Sequence, residues 1–216
     1  MHGTDSTVRR RRTSPARSAA VVAVVAGALC LIGLGGCTGP ADDPPGASVD
    51  PSPLETLVSL AAERLGNGEA AAASKWGTEV RVDDADRVAE VIAGVRSLAG
   101  QHAVAPEFAE QVFLDQIDAT ESIQFSRFAE WKLDPSAAPI EHPDLTDVRS
   151  DIDKLTEAML VQLGEQHYLL TSADCADARD RALRAVTEHR NLDALYERAL
   201  TRATASYCIN APSPAP

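Results

Sequence analysis

PEFAEQVFLDQIDATESIQFSRFAEWKL, residues 106–133, reads as one long helix. Pro106 suits a first helical turn, where its missing N–H would be unpaired in any case. Phe108, Val112, Ile117, Phe128 and Trp131 then fall on one side at helical spacing. No stretch of the chain alternates apolar and polar residues as a half-buried strand would, and the 3.6-residue period dominates.

The same period extends outward from this segment. Upstream, Leu54, Leu57, Val58, Ala61 and Leu65 form one apolar stripe. Gly66-Asn67-Gly68 is expected to break or kink that helix, and a second helical stretch carries Lys75 and Trp76. Asp83 or Asp84 can cap the next helix, with Val88, Val91, Ile92, Val95 and Leu98 facing inward and Gly100 ending it. Downstream, residues 134–143 read as a proline-interrupted loop. A further long helix starts near Thr146 and buries Val148, Ile152, Leu155, Met159 and Leu163. Ser172 is the expected cap of a helix reaching about His189. Asn191 is expected to open the last helix, with Leu192, Leu195, Tyr196, Ala199 and Tyr207 inward. The fold class is therefore all-α: a single-domain bundle of about six helices over residues 54–210, followed by a disordered tail at 211–216.

The first 53 residues have a different character. Arg9 to Arg12 and Arg17 make a basic region, and Ala19 to Gly36 follow without a charge. The run ends in Leu34-Gly35-Gly36-Cys37, which has the look of a lipoprotein cleavage site, with residues 1–36 as signal peptide and Cys37 as the lipidated residue. Eighteen apolar residues can also span a bilayer, so a retained anchor is the alternative. Residues 37–53 are rich in proline and acid and read as a tether.

Charge and cysteine usage narrow the function. The whole chain carries a net charge of −12. Residues 1–36 hold five Arg and one Asp, so the remainder has 15 basic and 31 acidic residues and a net charge of −16. That argues against nucleic acid as a partner. Beyond Cys30 and Cys37 only Cys175 and Cys208 remain, an even pair suited to a disulfide in an oxidising compartment, or else two unpaired core thiols. The hairpin expected from the last two helices would bring them together. His102, His142, His167 and His189 lack metal-ligand spacing, so no metal is expected. Asp83, Asp84 and Asp86 read as helix-start charges. No Ser-His-Asp order and no glycine-rich phosphate loop occurs.

Six polar side chains stand out: Arg64, Lys75, Arg87, Thr120, Gln124 and Arg149. They offer four cationic heads, a hydroxyl and a neutral amide, a set that suits a small dicarboxylic acid containing an ether oxygen. Thr120 and Gln124, four residues apart, share one helix face. The segments around the six are AAERL (61–65), SKW (74–76), DADRV (84–88), DATESIQFSRF (118–128) and VRSDID (148–153). In this order and spacing they resemble the all-helical (type II) chorismate mutases, most closely the exported subclass, over about residues 54–210.

The resemblance implies a cofactor-free isomerase that converts chorismate to prephenate outside the cytoplasm, as a homodimer with a complete site in each subunit, joined to the membrane only through the lipid. It implies substrate contacts from all six side chains, with Arg64, Arg87 and Arg149 on carboxylates and Lys75 and Gln124 on the ether oxygen. Lys75, Gln124 and Arg87 are the expected catalytic groups. Family members carry glutamine or glutamate at the position of Gln124. Cytosolic members place a glutamate where this chain has Val88, and exported relatives a glutamine where it has Val91, so the contact to the substrate's ring hydroxyl is unassigned, with Glu90 as a candidate. The alternatives are a non-catalytic helical lipoprotein that binds a small acid or a partner protein, and an enzyme resembling isochorismate pyruvate lyase.

Overall fold

A helix that is apolar on several faces has to be surrounded, and α1 (Glu55–Lys75) is. The computed structural model describes residues 52–209. Along α1, Leu57, Val58, Ala61 and Leu65 are fully buried, as is Leu54 at its N-cap. Four other helices pack on it. They are α3 (Pro106–Leu133), α4 (Leu145–Glu165), α6 (Cys175–Arg190) and α7 (Ala194–Ala203). The remaining elements are α2 (Ala85–Ala99), lying on α3 and α4, and the four-residue α5 (His167–Leu170). Among the described residues every regular element is helical. None is long and apolar enough to cross a membrane.

Three of the helices, α2, α4 and α7, begin where an aspartate accepts from exposed backbone N–H groups. Asp84 accepts from Arg87 N at 3.1 Å, Asp144 from Thr146 N at 2.7 Å, and Asp193 from Leu195 N and Tyr196 N at 2.9 Å each. Pro106 occupies the first turn of α3, and that helix runs unbroken to Leu133.

Three local expectations fail, each for a physical reason. First, α1 does not break at residues 66–68. Gly68 faces α3 so closely that an added Cβ would lie 3.1 Å from Ile123 Cγ2, so the glycine serves helix–helix approach instead of ending the helix. Second, Asp174, not Ser172, occupies the N-cap position of α6; the Ser172 hydroxyl accepts from Asp174 N at 3.2 Å, in the turn before the helix. Asn191 likewise closes α6 in the left-handed region at φ 49° and does not open α7. Third, α6 and α7 barely touch: α6 lies on α1, whereas α7 lies mainly on α3. Cys175 and Cys208 nevertheless meet, at the start of α6 and beyond the end of α7, and are disulfide-bonded with Cα atoms 5.6 Å apart.

Three features fix the ends of the site-bearing helices. Trp76, the residue after α1, packs edge-on to Phe128 and Trp131 of α3 with ring centroids 5.1 and 5.4 Å away. His142, in the connection to α4, bonds the Ala73 carbonyl through Nδ1 at 2.7 Å. At the other end of α4, a Cβ on Gly164 would fall 2.2 Å from the His102 carbonyl oxygen, so only glycine lets this helix cross the turn after α2. The sequence-based assignments to residues 1–51 and 210–216, including the signal peptide, Cys37 and most of the tether and tail, lie outside the described residues.

Candidate active site

Four helices converge on one cleft of about 670 Å³, counted to its open mouth. From α1 come Arg64, Ala71 and Lys75, and from the following loop Val82 and Asp84. From α2 come Arg87, Val88 and Val91. Ile117, Thr120, Glu121 and Gln124 come from α3, and Leu145, Val148, Arg149 and Ile152 from α4. All six polar side chains singled out in the sequence are in this lining. Glu90 is not: it is turned outward and paired with Arg87 at 2.7 Å, so it does not serve as the ring-hydroxyl contact.

Arg64 sits deepest, 3% exposed. Its Nε donates to Thr156 Oγ1 at 3.3 Å, and its guanidinium carbon lies 5.7 Å from the Phe113 ring centroid. No carboxylate pairs with it, and Nη1 is sealed from solvent without a hydrogen-bond partner. That leaves Nη2 as the nitrogen open to the cleft. Burial lowers the Arg64 pKa to about 10. A buried cation without a counter-ion is costly, and an anionic ligand removes that cost.

Lys75 ends α1 and is 9% exposed. Burial and then the charge of Arg149 lower its pKa from the usual lysine value. Arg149, one turn into α4, forms no ion pair among the described residues. Arg87 is more committed, to Glu90 and, at 3.7 Å, to Asp153 of α4. Thus among the described residues Arg64, Lys75 and Arg149 are cations without a carboxylate partner, while Arg87 must exchange one.

The two neutral groups have specific orientations. Thr120 donates its hydroxyl proton to the Gln116 carbonyl at 2.7 Å, so toward the cleft it has lone pairs to offer, not a donor. Gln124 Nε2 donates to the Thr120 carbonyl at 3.4 Å, and its Oε1 is sealed without a partner. One N–H of that amide remains for a ligand.

Sequence reasoning missed Glu121. It lines the cleft, makes no hydrogen bond, and has its pKa raised by burial and then by Asp118. The signal was present: Glu121 is three residues before Gln124, hence on the same helical stripe. Asp84, the other lining carboxylate, is occupied as the α2 cap. Counting lining residues, four cations against two carboxylates leave +2, the complement of a dianion, within a chain of net charge −12. Among the described residues no group of three or more His, Cys, Asp or Glu is placed to hold a metal ion.

Residues 55–125 match the family model of chorismate mutase type II. The chain is 45% identical over 166 residues, 76% of its length and 83% of the relative's, to the secreted chorismate mutase of Mycobacterium tuberculosis (strain ATCC 25618 / H37Rv). It is 45% identical over 159 residues to the secreted chorismate mutase of Mycolicibacterium smegmatis (strain ATCC 700084 / mc(2)155), covering 74% of this chain and 88% of that one. The fold is similar to the crystal structure of chorismate mutase from Burkholderia phymatum, with a TM-score of 0.69 and 32% identity over 74% of this chain and 98% of that one.

Proposed function

The chain belongs to the all-helical chorismate mutases, and on that premise we propose that its cleft rearranges chorismate to prephenate outside the cytoplasm. The observation that carries this reading is the convergence of Arg64, Lys75, Arg87, Thr120, Gln124 and Arg149 on one cleft with an excess of two positive charges. The reaction is pericyclic. The ether C–O bond breaks as a C–C bond forms, electrons move in a ring, and no proton is transferred. A protein accelerates it by holding the enolpyruvyl arm over the ring and by placing fixed donors where negative charge grows.

The geometry supports a division of labour. Arg64, through Nη2, and Arg149 take the two carboxylates, since guanidinium forks match carboxylates and stay charged. Arg87 joins them by exchanging Glu90 for substrate. Lys75 and the free N–H of Gln124 stabilise the ether oxygen as its bond breaks. Lys75 brings a full charge in a largely water-excluded position, where it counts most. Thr120 offers an acceptor. Glu121 is the acceptor for the ring hydroxyl, the role the sequence left open, because Asp84 is already engaged as a cap. A binding module would have no use for donors on the ether oxygen.

The relatives are named as secreted enzymes, and this chain is exported by the same reading. The finer proposals are that residues 1–36 are removed, that Cys37 carries lipid at the outer face of the membrane, and that two subunits associate with a complete site in each. Identification of the product formed from chorismate by residues 38–216 tests the function. Prephenate supports it, and pyruvate would point to lyase chemistry instead.

A further inference from the structure

Behind Arg64 lies a second set of polar atoms that the division of labour above does not use. Three side-chain atoms are sealed from solvent and lack hydrogen-bond partners: Arg64 Nη1, Gln116 Oε1 and Tyr207 Oη. Tyr207 and Gln116 are buried, Tyr207 among the largest fully buried side chains. Arg64 and Tyr207 interact electrostatically, and Gln116 lies beside the phenol without a formed hydrogen bond. Sealed polar atoms without partners are rare in folded proteins and call for an explanation.

The segment that delivers Tyr207 is fastened on both sides. Asp115 of α3, itself fully buried, accepts from Ser206 N at 3.0 Å and from Arg202 Nη1 at 2.7 Å. Gln116 Nε2 donates to the Ala203 carbonyl at 3.5 Å. On the far side, Cys208 is bonded to Cys175, and Ile209 N donates to the Leu170 carbonyl at 3.0 Å. The chain after α7 is thus clamped, with the phenol fully buried beside Gln116 and in electrostatic reach of Arg64.

We propose that Tyr207 is a positioning residue for the reaction: its hydroxyl, set by Gln116, takes the Nη1–H of Arg64 when the guanidinium turns onto a substrate carboxylate. Thr156 then holds Nε, Tyr207 holds Nη1, and Nη2 is left for the substrate. In the bound state the fork is then fixed at two of its three nitrogens, and the third is aimed at the carboxylate. A phenylalanine would fill the same volume but leave Nη1 without an acceptor.

This inference rests on the function proposed above. The test is a double-mutant cycle on chorismate turnover, with Tyr207→Phe made in the wild-type and in the Arg64→Lys backgrounds. In the wild type, Tyr207→Phe is expected to raise KM about tenfold, the size of a lost hydrogen bond to a charged group, with kcat changed less and thermal midpoint little moved. In the Arg64→Lys background it is expected to change KM no further, because its effect passes through the guanidinium. Unaltered KM in Tyr207→Phe, or the same rise in both backgrounds, overturns the proposal. Should Tyr207→Phe fail to fold, Gln116→Met takes its place in the cycle with the same expected pattern. Wild-type turnover separates the two levels. Its absence sinks the functional reading and this inference together, whereas turnover with an indifferent Tyr207 sinks the inference alone.

Discussion

Arg64 on α1 and Thr156 on α4 are 92 positions apart in sequence, yet the arginine Nε donates to the threonine hydroxyl at 3.3 Å. The hydroxyl's own proton is committed to the Ile152 carbonyl at 2.9 Å, so only a lone pair is available to Arg64. The direction of this bond is therefore fixed by the helix that bears it.

Thr156→Val keeps the shape and removes the acceptor. It should raise KM for chorismate about tenfold by leaving a buried N–H of a cation unpaired. Steady-state kinetics with a thermal melt on the same sample check this. An unchanged KM would mean that Arg64 is held by its packing on Phe113 instead.

Lys75→Ala should lower kcat by at least about 100-fold, the usual loss when a preorganised donor to developing charge is removed. Circular dichroism should show the helices intact, because Trp76, Phe128 and Trp131 pack the end of α1 without the lysine's help. Near-normal turnover would remove Lys75 from the ether oxygen.

The helical architecture was legible because α3 announces itself at both ends: Pro106 at the start and the apolar series through Trp131 before Asp134. The convergence of the six polar side chains on one cleft was legible for a different reason, since the segments around them resemble, in order and spacing, those of a known family. What failed was the reading of small and capping residues. Gly66-Asn67-Gly68 looks like a stop, and only the closeness of Ile123 explains Gly68. Ser172 and Asp174 are both acceptable caps, and tertiary packing decides between them. The partner choice of α6 and α7 lay beyond local pattern altogether, because both present apolar faces and α1 and α3 were the better surfaces. Glu121 was hidden by its residue type: a helix glutamate ordinarily faces water, and its place in the cleft depends on how α3 is rotated. Tyr207 was expected to be inward, but its neighbour Arg64 is 143 positions away.

The pH profile follows from the same groups. Gln124 does not titrate. Lys75 loses its charge as pH rises through its lowered pKa, and Arg64 follows near its value of about 10. Activity should therefore be lost on the alkaline side, with kcat nearly flat through neutrality, and KM should rise on the acid side as Glu121, whose pKa burial raises, takes up a proton. Gln124→Glu should add a steep loss toward higher pH, because the ionised carboxylate repels charge growing on the ether oxygen. A flat profile in that variant would place Gln124 away from the reacting bond.

Reduction of the Cys175–Cys208 bond frees a loop with a sequence separation of 33 residues. The chain-entropy relation gives a loss of about 3–4 kcal/mol of stability for such a loop. Urea unfolding of the Cys175→Ser/Cys208→Ser double variant reads that directly, and a midpoint equal to wild type would mean the clamp on residues 204–209 is held by its hydrogen bonds to Asp115, Gln116 and Leu170 without the disulfide.

Glu121→Ala should raise KM, whereas Glu121→Gln, which retains an acceptor oxygen, should raise it less. Equal effects of the two variants would leave the substrate's ring hydroxyl without the partner assigned to it here.

The central claim is that this cleft carries out a unimolecular rearrangement of chorismate, and the most direct measurement is the fate of chorismate incubated with residues 38–216, wild type beside Lys75→Ala, with the product identified by NMR. The account predicts that chorismate is replaced one-for-one by prephenate in the wild type at about 1–1000 turnovers per second, and far more slowly in the variant. Release of pyruvate, or chorismate left intact by a folded wild-type protein, would contradict it.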